Sequence, residues 1–192
     1  MTMLHRAALT AAVSVVLTAA VLPAQAQQKL LPQQSEVTFS IKQMGVPVEG
    51  RFRKFDAQIA LDPKKPEAGK VSINIDTASA SFGVADTDAE LPKAAWFSAA
   101  KFPQATFQSN AIKAAGASRL DVTGKLAVKG TVRDVTIPVT LAQAGGTTTA
   151  SGAFAIKRLD YKIGEGEWAD TSMVANDVQV KFKLAFSGAG PL

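Results

Sequence analysis

The sequence predicts an all-β protein of eight antiparallel strands, closed as a sandwich or barrel, with a short helix near one end. Three observations carry this. Apolar and polar residues alternate with a period of two along nearly the whole chain, as strands with one buried and one wet face do. The alternating runs are joined mostly by short turns marked by Gly or Pro. Only one segment, rich in Ala, breaks the pattern.

Residues 1–26 precede this fold. His5 and Arg6 give a short cationic start, Ala7 to Leu22 carries no charge, and Ala24-Gln25-Ala26 is a small-x-small cleavage site. The uncharged run has 16 residues, where a membrane span needs about 20, and it is diluted by Ala, Ser and Thr. A signal peptide cleaved after Ala26 is therefore expected rather than an anchor. Export to the periplasm follows, with residues 27–192 as one domain.

The strands follow in order. Val37, Phe39 and Ile41 alternate with Thr38, Ser40 and Lys42. Phe55, Ala57, Ile59 and Leu61 form the second run; Phe52 is out of phase with it, which predicts a bulge near Arg53-Lys54. Val71, Ile73 and Ile75 make a third, and Ala105 and Phe107, after Pro103, a shorter fourth. Leu120, Val122, Leu126 and Val128 run to a tight turn at Lys129-Gly130. The chain returns through Val135, Ile137, Val139 and Leu141 to a second turn at Gly145-Gly146. Thr147–Ile156 has a less clear phase. The last strand, Asp177–Phe186, alternates Val178, Val180, Phe182, Leu184 and Phe186 with Gln179, Lys181 and Lys183. Between the third and fourth strands, Asp88 to Ala100 is Ala-rich, with Pro92 near a helical start, and predicts the short helix. SGAGPL at the C-terminus reads as a frayed tail.

Composition narrows the chemistry. The chain has no Cys and a single His, His5, which leaves with the signal peptide. The mature protein then has neither Ser-His-Asp nor Cys-His nucleophilic machinery, no His or Cys zinc site and no His or Cys haem ligand. Loss of Arg6 lowers the net charge from +5 to +4. That modest value, with export, makes RFRKF at 51–55 the wet face of a strand rather than a nucleic-acid surface. An outer-membrane pore needs aromatic girdles, and the few Trp and Tyr residues, Trp96, Trp168 and Tyr161, do not fall at regular strand ends. Asp86, Asp88 and Glu90 could supply oxygen ligands to Ca²⁺ but lack the loop's Gly and closing acid, so acids at a helix N-terminus explain them better. Glu165 and Glu167 could form a glycosidase pair, yet nothing in GEGEW fixes their separation, and a solvated turn is the simpler reading. No metal site is expected.

Four stretches resemble the YceI-like, polyisoprenoid-binding family. VEGRFRKFDAQIALDP at 48–63 matches its Gly-x-Phe-x-x-Phe strand through Gly50, Phe52 and Phe55. TDAELPKAAWFSAAKFPQATFQS at 87–109 is similar to its helix-and-strand signature at Asp88, Leu91, Phe97, Pro103 and Phe107. GKLAVKGTVRDVTIPVTL at 124–141 resembles its hairpin, and KRLDYKIGEGEWADTSMVANDVQVKFKLAF at 157–186 its C-terminal block. The chain departs from the pattern at Gln43, where members often have His, and at Thr87 and Glu90 of an Arg-Asp…His set.

The resemblance implies a lipocalin-like barrel whose lumen holds an isoprenoid or quinone-like lipid, in a non-enzymatic carrier or storage protein. No other cofactor and no nucleic acid is implied; transient contact with the membrane or a membrane b-type cytochrome is. A scavenger of lipophilic toxins would use the same lumen, and a hydrolase working through loop carboxylates at the barrel mouth is the reading from another class. The apolar phase of the strands and the short helix give the expected lumen lining: Phe39, Ile41, Phe52, Phe55, Ile73, Trp96, Phe97, Phe107, Val180 and Phe182. An eight-stranded barrel can either fill itself with side chains or hold one small ligand, and periodicity does not choose between them.

Overall fold

A computed structural model describes residues 28–192, so the expected leader and its cleavage site lie outside the described residues. Alternating runs of Val, Ile, Phe and Thr build one antiparallel sheet that curls on itself. Its strands are β1 (Lys29–Leu30), β2 (Glu36–Gln43), β3 (Val46–Phe52), β4 (Phe55–Ala60), β5 (Lys70–Asp76), β6 (Ala80–Ser81), β7 (Gln104–Ala114), β8 (Arg119–Val128), β9 (Thr131–Ala144), β10 (Thr147–Lys157) and β11 (Val174–Ser187). The hydrogen-bonded order is β4-β5-β7-β8-β9-β10-β11-β2-β3-β6, with β1 added beside β11.

The two ends of this path belong to one kinked ribbon, which closes the barrel. β3 and β4 are one run of chain interrupted only at Arg53-Lys54, the predicted bulge. β5 and β6 are its antiparallel partner, interrupted at Thr77–Ser79. Across the break, the Arg53 amide donates to the Ser79 carbonyl at 3.1 Å and the Asp76 amide to that of Lys54 at 3.0 Å. Read this way, the segments make eight runs around the barrel, with β1 as an appendage.

Three two-residue turns fold consecutive strands together. Met44-Gly45, Lys129-Gly130 and Gly145-Gly146 all have positive φ at both positions, the type I′ geometry that matches strand twist. The fourth strand is longer than expected. β7 continues past Phe107 because a bulge between Ser109 and Ala111 shifts the register and brings Ile112 inward beside it. That odd spacing hides the strand from a strict period-two reading.

The helix differs from expectation in position. α1 spans Ala85–Glu90, and most of the stretch from Asp88 to Ala100 is a series of turns. Pro92 has no N–H to donate to Asp88 and its ring crowds that carbonyl, so the helix stops before the proline instead of starting near it. The segment after it is tied by the Phe97 amide to Leu91 O and the Ala99 amide to Pro92 O, at 3.0 and 2.9 Å.

Inside the barrel lie two contiguous apolar clusters. One gathers Leu61, Ile112, Leu120, Val122, Leu141, Leu184 and Phe186; the other gathers Leu91, Phe97, Val128, Tyr161 and Ile163 below the α1 end. The outer face carries charge: Lys125 pairs with Asp134 at 3.1 Å, and Lys181 and Lys183 are exposed. An apolar inside with a charged outside is the reverse of a transmembrane β-barrel.

Candidate functional site

The inward faces do not fill the barrel. Two cavities lie inside it, with about 100 and 120 Å³ open to the centre of a water-sized sphere. They share Ile75, Ala105, Leu126, Phe154 and Val180, so they form one lumen with a waist at those residues. The far chamber is walled by residues such as Ile73, Phe107, Ile137, Phe182 and Phe186. The near chamber is walled by Phe39, Ile41, Phe52, Phe82, Trp96 and Phe97 among others. Ring contacts link Phe82, Phe39, Phe52 and Phe97 across the near chamber, with successive centroids 5.2, 5.2 and 5.8 Å apart. These are edge-on or tilted contacts of the favourable kind.

Space survives in a barrel lined by Phe because several rings lie against glycine on the neighbouring strand. A Cβ on Gly50 would meet the Phe39 ring, one on Gly124 the Phe107 ring, and one on Gly152 the Phe182 ring. All three glycines sit on the inward phase, opposite or diagonal to their rings. Each ring therefore lies along the wall instead of across the bore.

The near chamber opens to a third cavity lined by Gln43, Met44, Phe82, Asp86, Thr87, Glu90, Leu91, Trp96, Trp168, Met173 and Val174. This mouth lies between α1, the β2–β3 turn and the loop before β11. Two buried cations hold its walls in place. Arg158, 1% exposed, donates to the carbonyls of Ala175, Ile163, Gly164, Trp168 and Val174 at 2.6 to 3.0 Å. Burial pulls its guanidinium pKa below the ordinary value. Lys129 donates to the carbonyls of Ala94 at 2.7 Å and Lys162 at 2.6 Å, and to the Glu165 carboxylate at 2.9 Å. The Lys129 hydrogen bond and charge hold the Glu165 carboxyl below the usual carboxylate range. Trp96 and Trp168 pack with tilted rings, centroids 5.5 Å apart.

Asp88 turns away from the mouth. It accepts from the Ser81 hydroxyl and the Phe82 amide, each at 2.6 Å, and from Arg53 at 3.3 Å. Those contacts, led by the Ser81 hydroxyl, lower its pKa. Asp86 and Asp88 do stand in the first helical turn, but Asp88 is spent tying α1 to β6. Among the described residues no group of three or more His, Cys, Asp or Glu is placed to hold a metal ion. Glu165 is exposed, as the solvated-turn expectation has it, and it also accepts from the buried Lys129 ammonium. Glu167 is exposed.

Of the expected lining residues, Phe39, Ile41, Phe52, Trp96 and Phe97 stand in the near chamber, Ile73, Phe107 and Phe182 in the far one, and Val180 at the waist. Phe55 does not line the lumen. It is half-buried on the inward phase beside Ala57 and packs on the core cluster, because the kink at Arg53-Lys54 displaces it from the bore. Reading from sequence missed Phe154, Ile156, Phe82 and Arg158. The first two were veiled by the small inward residues Ala150 and Gly152, which blur the phase of β10. The others lie outside regular strands, and no periodic signal marks them.

Comparison with known proteins agrees with this architecture. In a crystal structure, BcnA of Burkholderia cenocepacia is 45% identical to this chain and superposes with a TM-score of 0.80, covering 82% of this chain and 99% of that one. A structure described as a polyisoprenoid binding domain from Saccharophagus degradans matches with a TM-score of 0.70 at 18% identity, over 84% of this chain and 98% of its own, and shows the fold alone. A UPF0312 protein of Azotobacter vinelandii is 38% identical over 106 residues, 55% of each chain. Protein YceI of Salmonella arizonae is 38% identical over 114 residues, 59% of each. These alignments thus span a little over half the length of the curated relatives. The YceI-like domain model matches residues 29–186, from the first strand to the end of the last, and the chain belongs to the YceI-like family.

Proposed function

We propose that this protein is an exported carrier or storage protein that holds one isoprenoid or quinone-like lipid along its lumen. The observation that carries the reading is the continuity of the two chambers through a shared waist, with apolar walls from end to end. Each buried CH₂ contributes about 0.8 kcal/mol, so a chain of several isoprene units gains ample driving force from a dry, preformed tunnel. Family membership and the polyisoprenoid-binding description of the Saccharophagus neighbour support the same ligand class. Export to the periplasm rests on the leader-like residues 1–26. The carboxylate hydrolase is the weaker reading, since Glu165 is held as an anion by Lys129 and Glu167 points to solvent.

Intact-complex mass spectrometry of protein purified without detergent, followed by organic extraction, tests the proposal. A mass increment released as an isoprenoid or quinone-like species is the expected result. Only the apo mass would overturn it. Changing Glu165 and Glu167 together to Gln should leave lipid retention nearly unchanged; loss of a measurable lipid or glycan hydrolysis in that variant would favour the enzyme instead.

A further inference from the structure

The ladder between β9 and β10 stops halfway. The two strands pair from their turn only as far as Val139 with Gly152. Beyond that point both continue, β9 from Pro138 back to Thr131 against β8, and β10 from Ala153 on to Lys157 against β11. These two stretches are each held on their other side and are unpaired with one another, which leaves a seam in the barrel wall. The sequence explains where it starts. The Pro138 carbonyl is turned toward β10, since a Cβ on Gly152 would run into it. In a strand the N–H and C=O of one residue point to the same side. Pro138 therefore presents to β10 the side on which it has no N–H to give, and the ladder ends at a missing donor.

The seam leads into the lumen at its waist. Phe154 follows the last paired residues of β10 and lines both chambers, and Ile137 lines the far one. Val135, Phe154 and Ile156 share the inward phase yet are only half-buried, whereas Val139 and Leu141, beside the closed half of the ladder, are buried. Among the described residues, the side-chain hydrogen bonds across the seam's outer end come from Arg133 alone. It donates to the Asp160 carbonyl at 3.3 and 3.4 Å, stands 3.8 Å from the Asp160 carboxylate and lies over the Tyr161 ring. Arg133 and Asp160 are both exposed, and a pair that exposed holds only weakly. Parting two laddered strands breaks backbone hydrogen bonds, but parting β9 from β10 here breaks none.

We propose that the lipid enters and leaves sideways, through the seam between β9 and β10 that Arg133 latches, rather than end-first through the mouth. A lateral route delivers the middle of a long chain to Phe154 and the waist, so that neither tip has to be threaded past it. The inference rests on the lipid-binding reading and adds the route by which the ligand passes.

The chain has no Cys, so thiols placed by mutation are the only ones a maleimide meets. Thr136→Cys with Ala155→Cys sets a thiol on an exposed position at each side of the seam. Thr140→Cys with Ser151→Cys sets them on paired residues in the closed half. Each delipidated variant is loaded with geranylgeraniol, then stapled with the shortest of a graded set of bismaleimides that joins its two thiols, as intact mass shows. Exchange against deuterated geranylgeraniol is followed by intact-complex mass spectrometry. The seam staple should slow exchange by about tenfold or more at unchanged occupancy, while the staple in the closed half leaves the rate as it was. Arg133→Ala should speed exchange several-fold. A rate indifferent to the seam staple, or slowed as much by the other one, overturns the lateral route and leaves the lipid reading standing. A rate indifferent to Arg133→Ala overturns the latch. No uptake of geranylgeraniol by the unstapled protein overturns the route and the lipid reading together.

Discussion

Arg158 shows how much one side chain decides at the mouth. A guanidinium at 1% exposure is tolerable only because its planar fork reaches five carbonyls from two loops and the start of β11. Arg158→Leu removes the donors and leaves those carbonyls buried, at a cost of about 3–5 kcal/mol in denaturant unfolding. Arg158→Lys should recover only part, since an ammonium lacks the fork. A loss under about 1 kcal/mol for the Leu variant would show that water replaces the guanidinium. Nothing in KRLDY distinguishes this arginine from its exposed neighbour Lys157, so its role was illegible in the sequence. The carboxylates behave in the opposite sense. Asp88, Glu165 and Asp170 all have folded-state pKa values lowered by their partners: the Ser81 hydroxyl, Lys129 and the Ser172 hydroxyl respectively. Their stabilisation is complete above the range where unfolded carboxylates titrate and is lost as the pH falls through the folded values. Acid should therefore raise hydrogen exchange first in 81–102 and 158–174, before the strands respond. Uniform exchange across the barrel would contradict this.

At the scale of the element, the period-two pattern located every long strand except β3. What it missed has a physical cause. β3 presents Val48 and Gly50 inward with Pro47 between its turn and its core contacts, a weak apolar signal. β7 hides its second half behind a bulge, and Pro92 moves the helix upstream. The phase of β11 was fully legible. Phe182 lines the lumen, while Lys181 and Lys183 are exposed. Phe182→Glu should place an unpaired charge against hydrocarbon and cost several kcal/mol in folding or lipid retention. Lys181→Glu or Lys183→Glu should cost less than about 0.5 kcal/mol as a surface change. Thermal melts with lipid content check both; a reversal would mean the lumen is polar. The glycine-backed rings make a separate expectation. Gly50→Ala brings a Cβ into the Phe39 ring and should cost about 1–3 kcal/mol. In a double-mutant cycle Phe39→Leu should relieve part of that cost, because the two positions share one contact. Strict additivity would show that the ring does not lie on the glycine.

For the whole molecule, closure and emptiness are separate properties. Closure follows from strands legible in the sequence and from the kinked ribbon of β3–β4 with β5–β6, whose bulge at Arg53-Lys54 the mismatched phases of Phe52 and Phe55 announce. Emptiness was not legible, because an eight-stranded barrel can equally be packed solid. It depends on where rings lie, and that is set by three inward glycines that carry no hydrophobic signal of their own. The waist at Ile75, Ala105, Leu126, Phe154 and Val180 is the point where one long ligand must pass between chambers. The most direct measurement is lipid occupancy, by intact-complex mass spectrometry, of the wild-type protein beside a Val180→Trp variant whose indole blocks the waist, with circular dichroism to show that the barrel still forms. A single threaded lipid predicts a bound species in the wild type that is lost, or replaced by a much shorter chain, in the folded variant. The same lipid retained at full occupancy by Val180→Trp would contradict it and place the ligand outside the lumen.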